Sequence, residues 1–357
     1  MRTLVVISAV VLGTAITVAS LGNTPTYGRP QMIAVLGTSS PSPSPSRINT
    51  IKSPYGVMEG EAVINLVAAP LHEWNVIELP GAGNSAGYFN AARRDAVGRS
   101  TVWFPGLDPT GAVLVTALGP GSAHCKAVDV RPSPESHPGM DVQVACFDPA
   151  GNPSDAAYTL SYTRPAARIA GSGGWVRGSE QYNSTGGRNT TTRLAVGSYL
   201  VRMAGLGGPG GHAQVTAIGT SSDWCKVSRW YPNGADEMVA VKCFAPGGAP
   251  ADSTFNLSFA RGTDATLTSN RAAAFYTSSA DPSTAFVTAG ATGAVTVERL
   301  TAGRYRVRAP LDITGGAAHV TAQGDGGERC KLLGWNNIDG IQVACSADTA
   351  FSVAWSS

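Results

Sequence analysis

Five histidines, His72, His124, His137, His212 and His319, are the side chains of this sequence best suited to acid–base work or metal ligation near neutral pH. No two of them occupy the same place in the repeat described below, so a catalytic or metal set made once per repeat does not exist. Gly83-Asn84-Ser85-Ala86-Gly87 matches G-x-S-x-G. That nucleophile elbow needs a strand before it, a helix after it and an acid and a histidine downstream. Here the match lies in a glycine-rich loop of a chain holding 43 glycines, without that context. Gly205-Leu206-Gly207-Gly208-Pro209-Gly210 matches G-x-G-x-x-G, yet a strand follows it and Pro209 stiffens it, which removes the helix N-terminus that would hold a pyrophosphate. It reads as a hairpin loop. No catalytic residue, metal ligand or cofactor is assigned.

The chemistry that does recur is cysteine chemistry. Cys125 and Cys146, Cys225 and Cys243, and Cys330 and Cys345 fall two per repeat, which makes one local disulfide per unit the expected connectivity. Structural zinc is the rival, but C-x-x-C and H-x3-H spacings are missing. Three disulfides imply an oxidising compartment. Lys126, Lys226 and Lys331 directly follow the first cysteine of each pair, in a chain where most of the 26 basic residues are arginine. Asp155, Asp252 and Asp348 stand three residues before the last strand of each repeat, and Arg94, Arg193 and Arg299 stand four residues before a glycine. These polar positions form either a shared ligand patch or structural pairs and turn caps; the second is favoured. Trp224, Trp230, Tyr231 and Trp335 cluster around the cysteine strands. They are the candidate binding surface, since flat aromatics stack on sugars or fill a partner's pocket; the competing role is cover for the sheet. Three Asn-x-Ser/Thr matches, at Asn183, Asn189 and Asn256, fit the N-glycosylation sequon and are given no functional weight.

The elements that position these residues follow one pattern, V-T-A-x-G-x5-C-K, which begins at Val115, Val215 and Val320, 100 and then 105 residues apart. Self-similarity at fixed spacing marks an array of one unit. Alternation puts Val115 and Ala117 and their counterparts on an inward face and the recurring threonine outward. The cysteine strands form a hairpin, clearest in the third copy, where Asn336-Asn337-Ile338-Asp339-Gly340 supplies the turn. Bulky alternation at Tyr158/Leu160/Tyr162, Phe255/Leu257/Phe259 and Phe351/Val353/Trp355 closes each copy with a half-buried strand. The expected fold is all-β: three tandem antiparallel β-sandwich domains, immunoglobulin-like in size but without that cysteine pattern, with one disulfide each. Their spans are 57–163, 164–261 and 262–357.

With 357 residues and 43% hydrophobic content the chain has room for such an array, and a formal charge of +2 with 14% charged residues lacks the basic field that phosphate backbones attract. Nucleic acid is therefore excluded as an expected partner. Residues 1–21 have the layout of a secretory signal peptide: Arg2, an apolar run from Leu4, and the small residues Thr17-Val18-Ala19-Ser20. An uncleaved N-terminal anchor competes with it, and is the only expected membrane contact. Residues 22–54 form a Ser/Pro-rich linker.

The second repeat, from Tyr182-Asn183-Ser184-Thr185 through Val215-Thr216-Ala217-Ile218-Gly219, Cys225-Lys226 and Cys243-Phe244 to Asp252, resembles repeats of exported actinobacterial proteins of unknown function. The likeness covers all three repeats; the third departs in Ser346, where Phe147 and Phe244 stand in the others. It implies export and origin, and brings no activity. The expectation is an exported, non-catalytic binding or structural protein of the cell surface or extracellular matrix, with a cell-wall glycan or another surface protein as partner. The alternatives are a secreted hydrolase working from one domain, through Ser85 or a histidine, and an accessory or inhibitor of a secreted enzyme.

Overall fold

The computed structural model describes residues 58–77, 82–165, 171–262, 273–277, 286–287 and 293–356. The signal or anchor segment and the Ser/Pro linker lie outside the described residues. All regular structure among the described residues is β.

Each repeat folds into two antiparallel sheets from the same eight strands. In the second repeat one sheet runs Glu180–Asn183, Ser172–Arg177, Thr254–Arg261, His212–Ile218, and the other runs Thr190–Ala195, Ser198–Met203, Asp236–Phe244, Trp224–Asn233. The first repeat matches it and adds Trp74–Ile77 at one edge, paired with Asn90–Ala96. The third repeat uses Phe286–Val287, Ala273–Thr277, Phe351–Ser356 and Ala317–Ala322 against Thr296–Thr301, Arg304–Arg308, Gly340–Cys345 and Cys330–Asn336. Between the sheets lie Val102, Val201 and Val307, each 0–1% exposed, and full burial of such a side chain stabilises the fold by roughly 1.5–3 kcal/mol. The disulfides are Cys125–Cys146, Cys225–Cys243 and Cys330–Cys345, each joining directly opposed residues of the cysteine hairpin.

The repeats do not hang as separate beads. The strand bearing V-T-A (His212–Ile218 in the second repeat) pairs in parallel with the first cysteine strand of the preceding repeat, His124–Pro132, at Ile218 and Ala127. Val227 and Gln323 bridge the second repeat to the third in the same way. Leu332 and Leu118 then join the third back to the first. The array closes into a three-membered ring, and two of its sheets run continuously across repeats, with eight and nine strands. The third apolar core accordingly takes in Val63, Leu118 and Ala157 of the first repeat.

The recurring threonines differ from expectation for this reason. They do point away from the Val/Ala face, but that outer face is covered by the neighbouring repeats, and Thr116, Thr216 and Thr321 are buried. The amide of Val115 donates to Thr216 Oγ1 at 2.9 Å, that of Val215 to Thr321 Oγ1 at 3.0 Å, and that of Val320 to Thr116 Oγ1 at 3.4 Å. The marker glycine makes the reciprocal link: Gly119, Gly219 and Gly324 donate to the carbonyls of Leu332, Ala127 and Val227 at 3.0–3.1 Å. The V-T-A-x-G pattern is thus the ring's interlock. Gly219 holds φ at +120° with nothing within 4 Å of an added Cβ, so Gly219→Ala tests backbone conformation apart from packing. It is expected to lower the unfolding free energy by about 1–3 kcal/mol in urea titration.

The glycine-rich stretch around Gly205–Gly210 is a crossover between the two sheets of its repeat, not a hairpin loop, because the strands on either side, Ser198–Met203 and His212–Ile218, belong to different sheets.

Candidate binding site at the junctions between repeats

The recurring Arg, Gly and Asp form one unit within each repeat. Arg193 grips Asp252 through Nε and Nη2 at 2.9 and 2.7 Å, and the Gly197 amide donates to the same carboxylate at 3.0 Å. Arg94, Gly98 and Asp155 repeat this arrangement, as do Arg299, Gly303 and Asp348. The hydrogen bonds from Arg193 and Gly197 hold the Asp252 carboxyl well below the usual carboxylate range, and Arg299 and Gly303 do so for Asp348. A β-bulge directly after each arginine aims the glycine amide at the aspartate. These residues fasten a turn to the closing strand.

The lysines do something different: they cross between repeats. Lys126 reaches Asp223 of the second repeat at 2.8 Å, with side chains 2% and 4% exposed. Lys226 reaches Glu328 of the third at 2.9 Å, with exposures of 1% and 33%. Each acid stands two residues before the next repeat's first cysteine. Burial opposes ionisation of Asp223, but hydrogen bonds from Lys126 and Ser221 outweigh it and hold the carboxyl below its ordinary value. Sequence reasoning treated the lysines as surface pairs, where such contacts contribute about 0–1 kcal/mol; closure of the ring buries them instead. It missed the acids because Asp223 and Glu328 have no acidic counterpart in the first repeat, where Ala123 stands.

Lys331, at the junction of the third repeat with the first, is also buried, yet its hydrogen bond goes to the carbonyl of Pro120 at 3.2 Å. Burial, with Arg304 and Arg329 adding to it, pushes its amine down to about 8. A cavity of about 130 Å³ opens beside it, lined by Lys331, Arg304, Arg329, His124, Ala123 and Ser346 among others. Arg329 lies over the Trp224 ring at 4.9 Å and donates to the Ser122 carbonyl at 3.2 Å. Burial pushes His124 down to about 4, so its ring is neutral at pH 7, and Nε2 donates to the Ser222 carbonyl at 2.9 Å.

The aromatic candidates separate in the fold. Trp224 is buried between repeats, stacked on Phe244 and edge-on to His124. Bulges at Val227/Arg229 and Leu332/Gly334 shift the alternation, so Trp230 and Trp335 turn inward onto their cores. Trp335 Nε1 donates to the Gly315 carbonyl. Tyr231 is the exposed one, at 38%, with the Arg229 guanidinium over its ring. Trp230 and Trp335 therefore pack as sheet cover, the second of the two roles the sequence offered for them.

The remaining motifs are structural. Ser85 accepts the Glu59 amide at 2.8 Å, and Ser184 accepts the Gly173 amide at 3.0 Å in the matching place of the second repeat. Asn84 and Asn183 donate to Asn90 and Asn189 alongside them. The G-x-S-x-G match is thus half of a repeated turn. Asn183, Asn189 and Asn256 are all buried. His319 contacts Ser161 Oγ at 2.7 Å, with both residues 2% exposed, and burial pushes the imidazole down to about 3; the contact ties the third repeat to the first. Among the described residues no cluster of His, Cys, Asp and Glu has metal-binding geometry.

No family model, curated protein or solved structure matches this chain.

Proposed function

We propose that this chain is an exported, non-catalytic protein that works at the cell surface or in the extracellular matrix as a rigid three-membered binding or structural body. One observation carries the reading: the polar residues that recur in every repeat hold the ring together, the Arg–Gly–Asp units within repeats and the threonines, glycines and lysines between them. Repetition in this chain serves assembly. The three disulfides fit an oxidising compartment, and the resemblance to exported actinobacterial repeats fits export and a bacterial envelope setting.

The test is retention of the purified, oxidised protein on intact actinobacterial cells, stripped cell walls and a glycan panel. Saturable retention on at least one surface is the expected result. Retention on none, together with hydrolysis of a substrate that is lost on Ser85→Ala, would overturn the reading. Trp230→Ala is a poor probe of such binding, because the side chain packs on its core; it is expected to lower the melting temperature, while Tyr231→Ala leaves it unchanged. Differential scanning fluorimetry of the two variants checks this.

A further inference from the structure

The three junctions between repeats are built to one plan, and one of them lacks a part. In the first-to-second junction the Lys126 ammonium is neutralised by Asp223, and Phe147, directly after the second cysteine, stacks on His124 with the Arg99 guanidinium over its ring at 5.4 Å. In the second-to-third junction Glu328 neutralises Lys226. In the third-to-first junction Lys331 and Arg304 stand where Lys126 and Arg99 stand. There Ala123 replaces the acid and Ser346 replaces the phenylalanine. Both replacements fall at one junction, and Ala123 and Ser346 both line the cavity of about 130 Å³ that opens there.

We propose that this cavity is a binding site for a single carboxylate group supplied from outside the ring, seated against Lys331 with Arg304 and Arg329 around it. The ligand class is read from the molecule itself, since the other two lysines of the set each hold a carboxylate at 2.8–2.9 Å. An ammonium carries three donors. Pro120 accepts one from Lys331, which leaves further donors to a side chain that lines the cavity. The charges acting on Lys331 from the elements packed around it are those of Arg304 and Arg329, both positive; Asp148 acts on Arg329, and His124 is neutral at pH 7. A buried cation with no opposite charge is unfavourable until paired, so a carboxylate entering here gains what Asp223 and Glu328 already provide at their junctions. This deepens the binding reading above by naming the chemistry one site would take.

The experiment uses the intact protein labelled with 13C at the lysine ε carbon, which gives few signals because the chain has only five lysines; Lys331→Met assigns the one of interest. Acetate is titrated at pH 7 and constant ionic strength against chloride and inorganic phosphate. The expected result is a saturable shift of the Lys331 signal with acetate, and a Lys331 titration moved upward from about 8. Ala123→Asp builds the missing acid into the chain. It should move the Lys331 titration upward without acetate and weaken the acetate response by about tenfold or more, as loss of a charge-assisted hydrogen bond implies. Arg304→Gln, at an exposed position, should weaken the response without disturbing the fold, which keeps the test decisive if Ala123→Asp does not fold. An unmoved Lys331 signal in acetate, or equal shifts in acetate and chloride, would overturn the proposal. Retention on cell surfaces is read separately, so either result can fail while the other stands.

Discussion

Asp223→Ala is expected to lower the unfolding free energy by about 3 kcal/mol, toward the low end of what breaking a buried ion pair costs. The cause is Lys126, left 1% exposed and without the carboxylate at 2.8 Å that neutralises it. The low end applies because Lys331 already shows how this fold holds such a lysine, with a carbonyl partner and a cavity beside it. Glu328→Ala should cost less, since Glu328 is 33% exposed and its pair is already screened by solvent. The pH dependence gives a second check. The Asp223 carboxyl is depressed in the fold, so its contribution is present in full above the ordinary carboxylate value near 4 and is lost as pH falls through the depressed one. Urea titrations from pH 7 down to 3 should therefore show the gap between wild type and Asp223→Ala closing in acid. A constant gap would mean that the variant acts through packing alone.

Removal of the Cys225–Cys243 disulfide by a double alanine substitution is expected to cost about 3 kcal/mol, from the loop of 18 residues it closes. The more telling outcome is how the loss is distributed. In a string of independent sandwiches, only the second would melt earlier. Here the second repeat is held by the first through Gly219 and Ala127 and by the third through Gly324 and Val227, and the ring closes through Leu332 and Leu118. All three repeats should therefore unfold together in one transition at a lower temperature. Calorimetry with hydrogen exchange on all three cysteine hairpins checks this, and a separate early transition confined to the second repeat would contradict the closed ring.

Much of this was legible in the residues. The cysteine spacing set the three disulfides, because pairs 21, 18 and 15 residues apart flank turn chemistry and have no other partner within their repeat. Alternation at Val142, Val144 and Cys146 set the inner face of the hairpin, and the bulky period-two run at Tyr158, Leu160 and Tyr162 set the closing strand. The three-fold V-T-A-x-G-x5-C-K pattern, the all-β class and the two-sheet unit follow from the same local rules, since side-chain period and turn residues act over a few residues of chain.

What the sequence could not decide was what lies outside each unit. An outward-facing threonine reads as solvent-exposed until a neighbouring strand covers it, and only the tertiary structure places Thr216 against Val115. A lone alternating strand reads Trp230 as facing out until the bulge at Val227/Arg229 reverses it. The candidate site depends on both kinds of information: the lysine recurs in the sequence, but its acid belongs to the next repeat in space, and Ala123 gains meaning only beside Lys331 from the far end of the chain. Local periodicity carries no term for the closure of a ring, and closure is what turns a repeated lysine into one buried ion pair, one half-buried pair and one open, positively charged cavity.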